Sequence, residues 1–301
     1  MMVNKIPVAL DTDIGGDIDD TWALAMLLKS PELDLKLVVT DTGNTTYRAQ
    51  IAARMLDIAG RTDVPVGIGL RQSDGTGPQV EWVGGYDLAD YPGTVHQDGV
   101  EALIETIMVS PEPVTLICIG PVPNIAAALA REPVIARRAR FVGMHGSVRL
   151  GYGGSKKTSD EYNVRADPAA CRAVFAAPWD VTITPVDTCG LVQLKGNKYA
   201  RVRDCPDPLV RAVIENYRIW ARHVNWTQVN VEAQSSTLFD PVAVYLAFSE
   251  ELLEMEDLGI RVTDDGFTLI DEDAKVIHCA TAWKNLAAFE DVLVERLVSY
   301  G

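Results

Sequence analysis

Ile6-Pro7-Val8-Ala9-Leu10-Asp11-Thr12-Asp13-Ile14-Gly15-Gly16-Asp17-Ile18-Asp19-Asp20 is the stretch on which the fold turns. The apolar run Ile6–Leu10 predicts a buried β-strand, and the helix-period stretch Asp20–Lys29 follows it. Between the two, five aspartates (Asp11, Asp13, Asp17, Asp19 and Asp20) fall within ten residues. They stand where a strand ends and a helix begins, the place where open parallel sheets bind ligands. Ionised carboxylates crowded into a cleft repel one another, at a cost on the order of several kcal/mol, unless a cation neutralises them. A hard divalent ion with oxygen ligands, Ca²⁺ or Mg²⁺, meets that need. Capping of the helix by Asp19 or Asp20 accounts for one or two of the aspartates, not for five.

Outward from this stretch, short apolar runs alternate with helical patterns. Leu35–Thr40, Val114–Ile119, Ala139–Met144 and Val181–Thr184 predict further buried strands. Tyr47–Ala59, Gly99–Met108, Val122–Ala130 and Pro168–Ala176 predict helices between them. The alternation defines an α/β class, with an open, mostly parallel central sheet flanked by helices. With no linker-like tract and no shift in composition, residues 1–301 are expected to form a single domain. Arg71–Val95, rich in Gly and Pro around Trp82, Tyr86 and Tyr91, predicts a lid, a binding loop or a mobile excursion. Asp207–Val231 predicts a long helix and Ala282–Leu297 a closing one.

Composition narrows the function classes. Of 301 residues, 48% are hydrophobic and 23% charged, which suits a packed core and argues against disorder. A formal charge of −15 repels polyanions, so neither nucleic acid nor an anionic membrane surface is an expected partner. No apolar run is long enough for a membrane span. Met1–Asn4 leads straight into the first strand, too short and too soon acidic for a secretory signal. The five cysteines contain no CxxC pair, and reduced thiols in the cytoplasm are the expectation.

Polar residues recur after the later strands. They are Asp41-Thr42-Gly43-Asn44, Gly120-Pro121-Val122-Pro123-Asn124, Met144-His145-Gly146, Glu161-Tyr162-Asn163 before Asp167-Pro168, and Phe239-Asp240-Pro241. Together with the aspartate cluster, and in this order over nearly the whole chain, they resemble the inosine–uridine-preferring nucleoside hydrolase family. Members of that family cleave the N-glycosidic bond of ribonucleosides. The resemblance implies that Asp13, Asp20 and Asp240, with the backbone carbonyl of Pro123, bind Ca²⁺. Asp13 would also take a proton from the water that attacks the anomeric carbon. Asp19, Asn163 and Asp240 would hold the ribose 2′- and 3′-hydroxyls, Glu161 would lie near the 5′-hydroxyl, and Asn44 close to the reacting sugar. Asp11 would orient the cluster. A small-molecule nucleoside or riboside is the implied substrate, and a homodimer or homotetramer the implied assembly. The chemistry agrees: cleavage leaves positive charge on the ribose ring, and an anionic pocket stabilises it.

Two departures from the family pattern carry weight. Many members have three residues between the second and third aspartates, whereas five intervene here, one of them Asp17. Asp19-Asp20 is taken as the pair because the apolar helix starts directly after it; Asp17 then stands either as a substitute sugar contact or as an added metal ligand. Many members also have His-Asp-Pro where this chain has Phe239-Asp240-Pro241, and phenylalanine donates no proton to a leaving base. His145 and His223 are the side chains considered for that task, with His96 behind them. Trp82, Tyr217, Trp220 and Trp226 are candidates for stacking on a base or for packing in the core. Two other readings stay open: a ribose- or nucleoside-binding protein without turnover, and a Mg²⁺-dependent phosphatase with Asp11 as nucleophile.

Overall fold

In the computed structural model, which describes residues 5–299, ten strands among the described residues form one sheet. They are β1 (Ile6–Thr12), β2 (Leu33–Thr40), β3 (Val66–Ile68), β4 (Val95–His96), β5 (Val114–Cys118), β6 (Ala139–Met144), β7 (Val181–Thr184), β8 (Leu253–Val262), β9 (Thr268–Ile270) and β10 (Val276–Trp283). The helices are α1 (Asp19–Leu28), α2 (Thr45–Ile58), α3 (Val80–Val83), α4 (Gly99–Val109), α5 (Pro123–Arg131), α6 (Tyr162–Ala166), α7 (Pro168–Ala176), α8 (Gly196–Arg203), α9 (Pro208–His223), α10 (Pro241–Leu246) and α11 (Leu286–Val298). Met1–Asn4, which bears on the expectation of no leader, lies outside the described residues.

The spatial order is β4-β3-β2-β1-β5-β6-β7-β10-β8-β9. All pairings from β4 to β10 are parallel, and β8 and β9 close one edge antiparallel. The chain walks from β1 out to β4 on one side, then returns to β1 and continues with β5 on the other. That reversal opens a crevice at the carboxyl ends of β1 and β5, the switch point of a doubly wound sheet. Both faces are covered. Val8 and Leu10 of β1 pack into one apolar layer, with α1, α2 and α9, and Ala9 packs into the other, with α4, α5 and α7. Each fully buried aliphatic side chain of this kind contributes about 1.5–3 kcal/mol relative to exposure.

The expected α/β architecture is present, with local corrections. The helix predicted over Asp207–Val231 ends at His223, where Val224 turns extended. The C-terminal helix starts at Leu286, because Ala282 and Trp283 complete β10 against β8. Arg71–Val95 folds over α2 with a short helix (α3) of its own. No described helix is long and apolar enough to cross a membrane.

Candidate active site

Asp11 and Thr12 are the last two positions of β1, and Asp19 and Asp20 the first two of α1. Neither Asp19 nor Asp20 caps its helix: the cap position is Ile18, which has no side chain able to do so. A parallel contrast runs through the three Asp-Pro steps. Asp167 and Asp207 each accept hydrogen bonds from amides of the helix they precede, whereas the carboxylate of Asp240 caps nothing. Carboxylates withheld from capping are available for something else.

The fold brings them together. Oxygen atoms of Asp19, Asp20 and Asp240, all buried, lie within 4.8 Å of one another. Asp19 Oδ2 accepts hydrogen bonds from the backbone N–H of Phe239 at 3.1 Å and of Asp240 at 3.3 Å, which pins the start of α10 against α1. Thr12 Oγ1 donates to Asp20 Oδ1 at 2.5 Å and accepts from Ile14 N at 3.1 Å. Asp13 stands beside this triad and faces the guanidinium of Arg48, with Nη2 3.7 Å from Oδ2. Burial, and then repulsion from neighbouring carboxylates, holds Asp19, Asp20 and Asp240 well above the usual carboxylate range. Burial also raises Asp13, against the pull of Arg48. An all-oxygen, mutually repelling set of this kind fits a hard divalent cation, which would remove the repulsion. Pro123, whose carbonyl is the remaining expected ligand, is the buried first residue of α5.

Asp11 points elsewhere. Its Oδ2 accepts from Asn124 Nδ2 at 2.9 Å, and Asn124 also donates to the carbonyl of Thr40 at 3.1 Å. It therefore braces β1, β2 and α5 behind the cavity, an arrangement that suits the orienting role and not that of a phosphorylated nucleophile.

A cavity of about 730 Å³ opens over the triad. Asp13, Asp17, Asp19, Asp20 and Asp240 line it together with Glu161 and Asn163, and the exposed rings of Tyr152, Tyr162 and Trp226 stand at its rim. Asn163 Nδ2 donates to the carbonyl of Met144 at 2.9 Å, and its Oδ1 accepts no bond among the described residues. Glu161 accepts three backbone N–H bonds, from Asn163 at 2.7 Å, Gly146 at 2.9 Å and Val164 at 3.2 Å. Burial outweighs them and raises its pKa to about 7. Phe239 lines the wall, its ring edge-on to Tyr152 at 5.9 Å.

No histidine lines the cavity among the described residues. His145, considered as the proton donor, is fully buried between the rings of Phe141 and Phe175, with Nε2 3.1 Å from the carbonyl of Gly120, and does not line the cavity, which corrects that candidacy. Burial lowers its pKa to about 3. His223 ends α9 with Nε2 2.8 Å from Glu81 Oε1, and His96 sits on the edge strand β4. Neither lines the cavity. Asn44 caps α2, with Oδ1 accepting from Tyr47 N at 3.2 Å and Nδ2 donating to the carbonyl of Asp74 at 3.0 Å; it is not part of the cavity wall. Of the four aromatics considered for stacking, Trp220 and Trp226 line the cavity, while Tyr217 and Trp82 are core residues. Arg48 and Gln79 carried no sequence signal, because their importance lies in which distant carbonyls and carboxylates they meet.

Residues 8–298 match the model of the inosine-uridine preferring nucleoside hydrolase family, and the chain belongs to that family. It is accordingly a hydrolase acting on N-glycosyl bonds. The pyrimidine-specific ribonucleoside hydrolase RihA of Citrobacter koseri is 32% identical over 318 residues, covering 98% of this chain and 99% of the relative. The protein of the same description from a Shewanella species (strain MR-4) is 29% identical over 317 residues, covering 98% of this chain and 96% of its own. Among solved structures, a plant nucleoside hydrolase, PpNRh1, superposes with a TM-score of 0.84 at 21% identity, covering 99% of this chain and 100% of that one. The last likeness speaks for the fold.

Proposed function

We propose that this chain hydrolyses the N-glycosidic bond of ribonucleosides, pyrimidine ribonucleosides among them, to ribose and free base. The observation that carries the reading is the buried triad Asp19–Asp20–Asp240 facing a nucleoside-sized cavity, with carboxylates that cap no helix. Asp13, Asp20 and Asp240, with the Pro123 carbonyl, would hold a divalent cation, Ca²⁺ in first place; the closeness of Asp19 to Asp20 and Asp240 adds it to the candidates. Such a cation supplies a more acidic water and a template for the vicinal diol. Asp13 takes the proton from the attacking water, a contribution of about 10²–10⁴ in rate. Asn163 Oδ1 and the carboxylates of Asp19 and Asp240 accept hydrogen bonds from the ribose 2′- and 3′-hydroxyls, and Glu161 lies towards the 5′-hydroxyl. As the bond breaks, the surrounding negative charge stabilises the oxocarbenium-like ribose. The pyrimidine assignment draws on the specificity named for the two bacterial relatives. With phenylalanine at 239 and every histidine off the cavity wall, departure of the base relies on its own stability as a leaving group. The five buried, unpaired cysteines support a reducing compartment such as the cytoplasm, and the family resemblance supports a homodimer or homotetramer.

Steady-state kinetics on uridine, inosine and p-nitrophenyl riboside, with and without Ca²⁺, test the reading. Turnover of uridine should require the divalent ion, and Asp13→Asn should lower kcat by about 10²–10⁴. The activated riboside should outrun inosine. Absence of base release from every substrate with every divalent ion overturns hydrolysis. The absence of a histidine from the cavity wall among the described residues favours, as the second reading, a nucleoside-binding protein without turnover. Calorimetric binding without base release would select it.

A further inference from the structure

Ile14–Ile18, the lengthened segment between Asp13 and the Asp19-Asp20 pair, has no role in the mechanism above, yet four of its five residues are tethered by distant parts of the chain. Four consecutive carbonyls each accept a hydrogen bond from a side chain distant in sequence. Arg48 Nη1 donates to Ile14 at 3.0 Å, Tyr47 Oη to Gly15 at 3.2 Å, Trp220 Nε1 to Gly16 at 3.2 Å and Gln79 Nε2 to Asp17 at 2.6 Å. Gln79 is fully buried and accepts in turn from Asn216 Nδ2 at 2.7 Å. A loop needing only to connect a strand to a helix would leave such carbonyls to water. Here α2, α9 and the segment before α3 all supply donors, so the loop is set in place before any substrate arrives.

The side chain that this cradle holds at the cavity wall is Asp17. Its Oδ1 accepts from Ile18 N at 2.7 Å, while its Oδ2 accepts nothing among the described residues. Asp19, by contrast, has Oδ2 engaged by two backbone amides. We propose that Asp17 is a specificity-determining contact whose free oxygen accepts a hydrogen bond from a donor on the nucleoside, a ribose hydroxyl or the N–H of the base. The inference rests on the nucleoside hydrolase reading and deepens it.

The test compares wild type, Asp17→Ala and Asp17→Asn, loaded with Ca²⁺, on uridine, its 2′-, 3′- and 5′-deoxy analogues and N3-methyluridine. Asp17→Ala should lower kcat/KM on uridine by about 10- to 100-fold, the size of one charge-assisted hydrogen bond. On the one analogue lacking the partner group the same substitution should cost less than about threefold, because the two losses describe one bond. A deoxy analogue behaving so places the partner on the sugar; N3-methyluridine behaving so places it on the base. Calorimetric titration of Ca²⁺ without substrate should give affinities for the variants within about threefold of wild type, since the contact is to substrate. Unchanged kcat/KM in both variants, equal losses on every analogue, or a Ca²⁺ affinity that falls in step with kcat/KM would overturn the assignment. Should wild type turn over none of these compounds, the hydrolase reading fails on its own. The same pairs are then compared as calorimetric Kd values, where uncoupled losses overturn the assignment of Asp17 independently.

Discussion

A positive charge or a hydrogen-bond donor eases the ionised form of a buried carboxylate, and three of the aspartates here each have a different one. Asp20 has the hydroxyl of Thr12, Asp19 the amides that open α10, and Asp13 the guanidinium of Arg48. Asp41, fully buried beside Asp11 and Asp13, is pushed well above the ordinary range first by burial and then by their charge. His145 shows the converse: it has no carboxylate partner and sits among aromatic rings, so burial favours the neutral ring. NMR of the imidazole should therefore show His145 neutral through pH 5, its charging deferred towards a pKa of about 3. Titration near the unperturbed value of about 6.5 would instead put it in contact with solvent.

At the scale of elements, the decisive contact is between two irregular segments. Gly15 adopts a left-handed φ of +105°, which places its carbonyl against Gly77, where any Cβ would meet that oxygen. Gly77 is thus required for space, not for its own backbone angle. Gly77→Ala should destabilise the protein by about 1–3 kcal/mol, the usual cost of forcing extra volume into a packed contact. Urea denaturation measures the loss, and limited proteolysis should show faster cutting within residues 71–79. An unchanged midpoint and cleavage rate would mean that this loop is not held by the Ile14–Ile18 segment. The end of α9 belongs to the same scale. The chain leaves the helix after His223 and returns through Leu238, whose N–H donates to the carbonyl of Val192 at 2.9 Å, to deliver Phe239 and Asp240 to Asp19.

For the whole molecule, the acidic centre makes stability depend on pH in a definite direction. Burial raises Asp11 and Asp17 to about 6 and Glu161 to about 7, with Asp19, Asp20 and Asp240 raised as well. A carboxyl whose folded pKa lies above its unfolded value favours the fold while protonated, and that contribution is lost as pH rises through the folded pKa. Metal-free protein should therefore lose thermal stability between about pH 4.5 and pH 7, and saturating Ca²⁺ should remove most of that loss. Binding of the ion should release protons, seen as a dependence of the calorimetric enthalpy on buffer ionisation. A metal-free melting temperature that rises steadily from pH 5 to pH 8 would contradict the picture.

The sequence by itself determined the α/β class, the placing of the aspartates at the carboxyl end of β1, and the later strand-end residues Asn124, Asn163 and Asp240. Those features rest on local periodicity and on short motifs, in which the residues that matter are neighbours. Much of the rest passed unread for the same reason. The antiparallel β8 and β9 fill an edge where alternation is weak, and the continuation of the apolar pattern past His223 concealed the end of α9. Only the tertiary structure decided that Asp19 joins Asp20 and Asp240 while Asp13 turns to Arg48, that Asp11 faces Asn124, and that His145 is sealed from the cavity. The partner of a buried polar group is set by packing between segments far apart in the chain, and no local pattern encodes that distance.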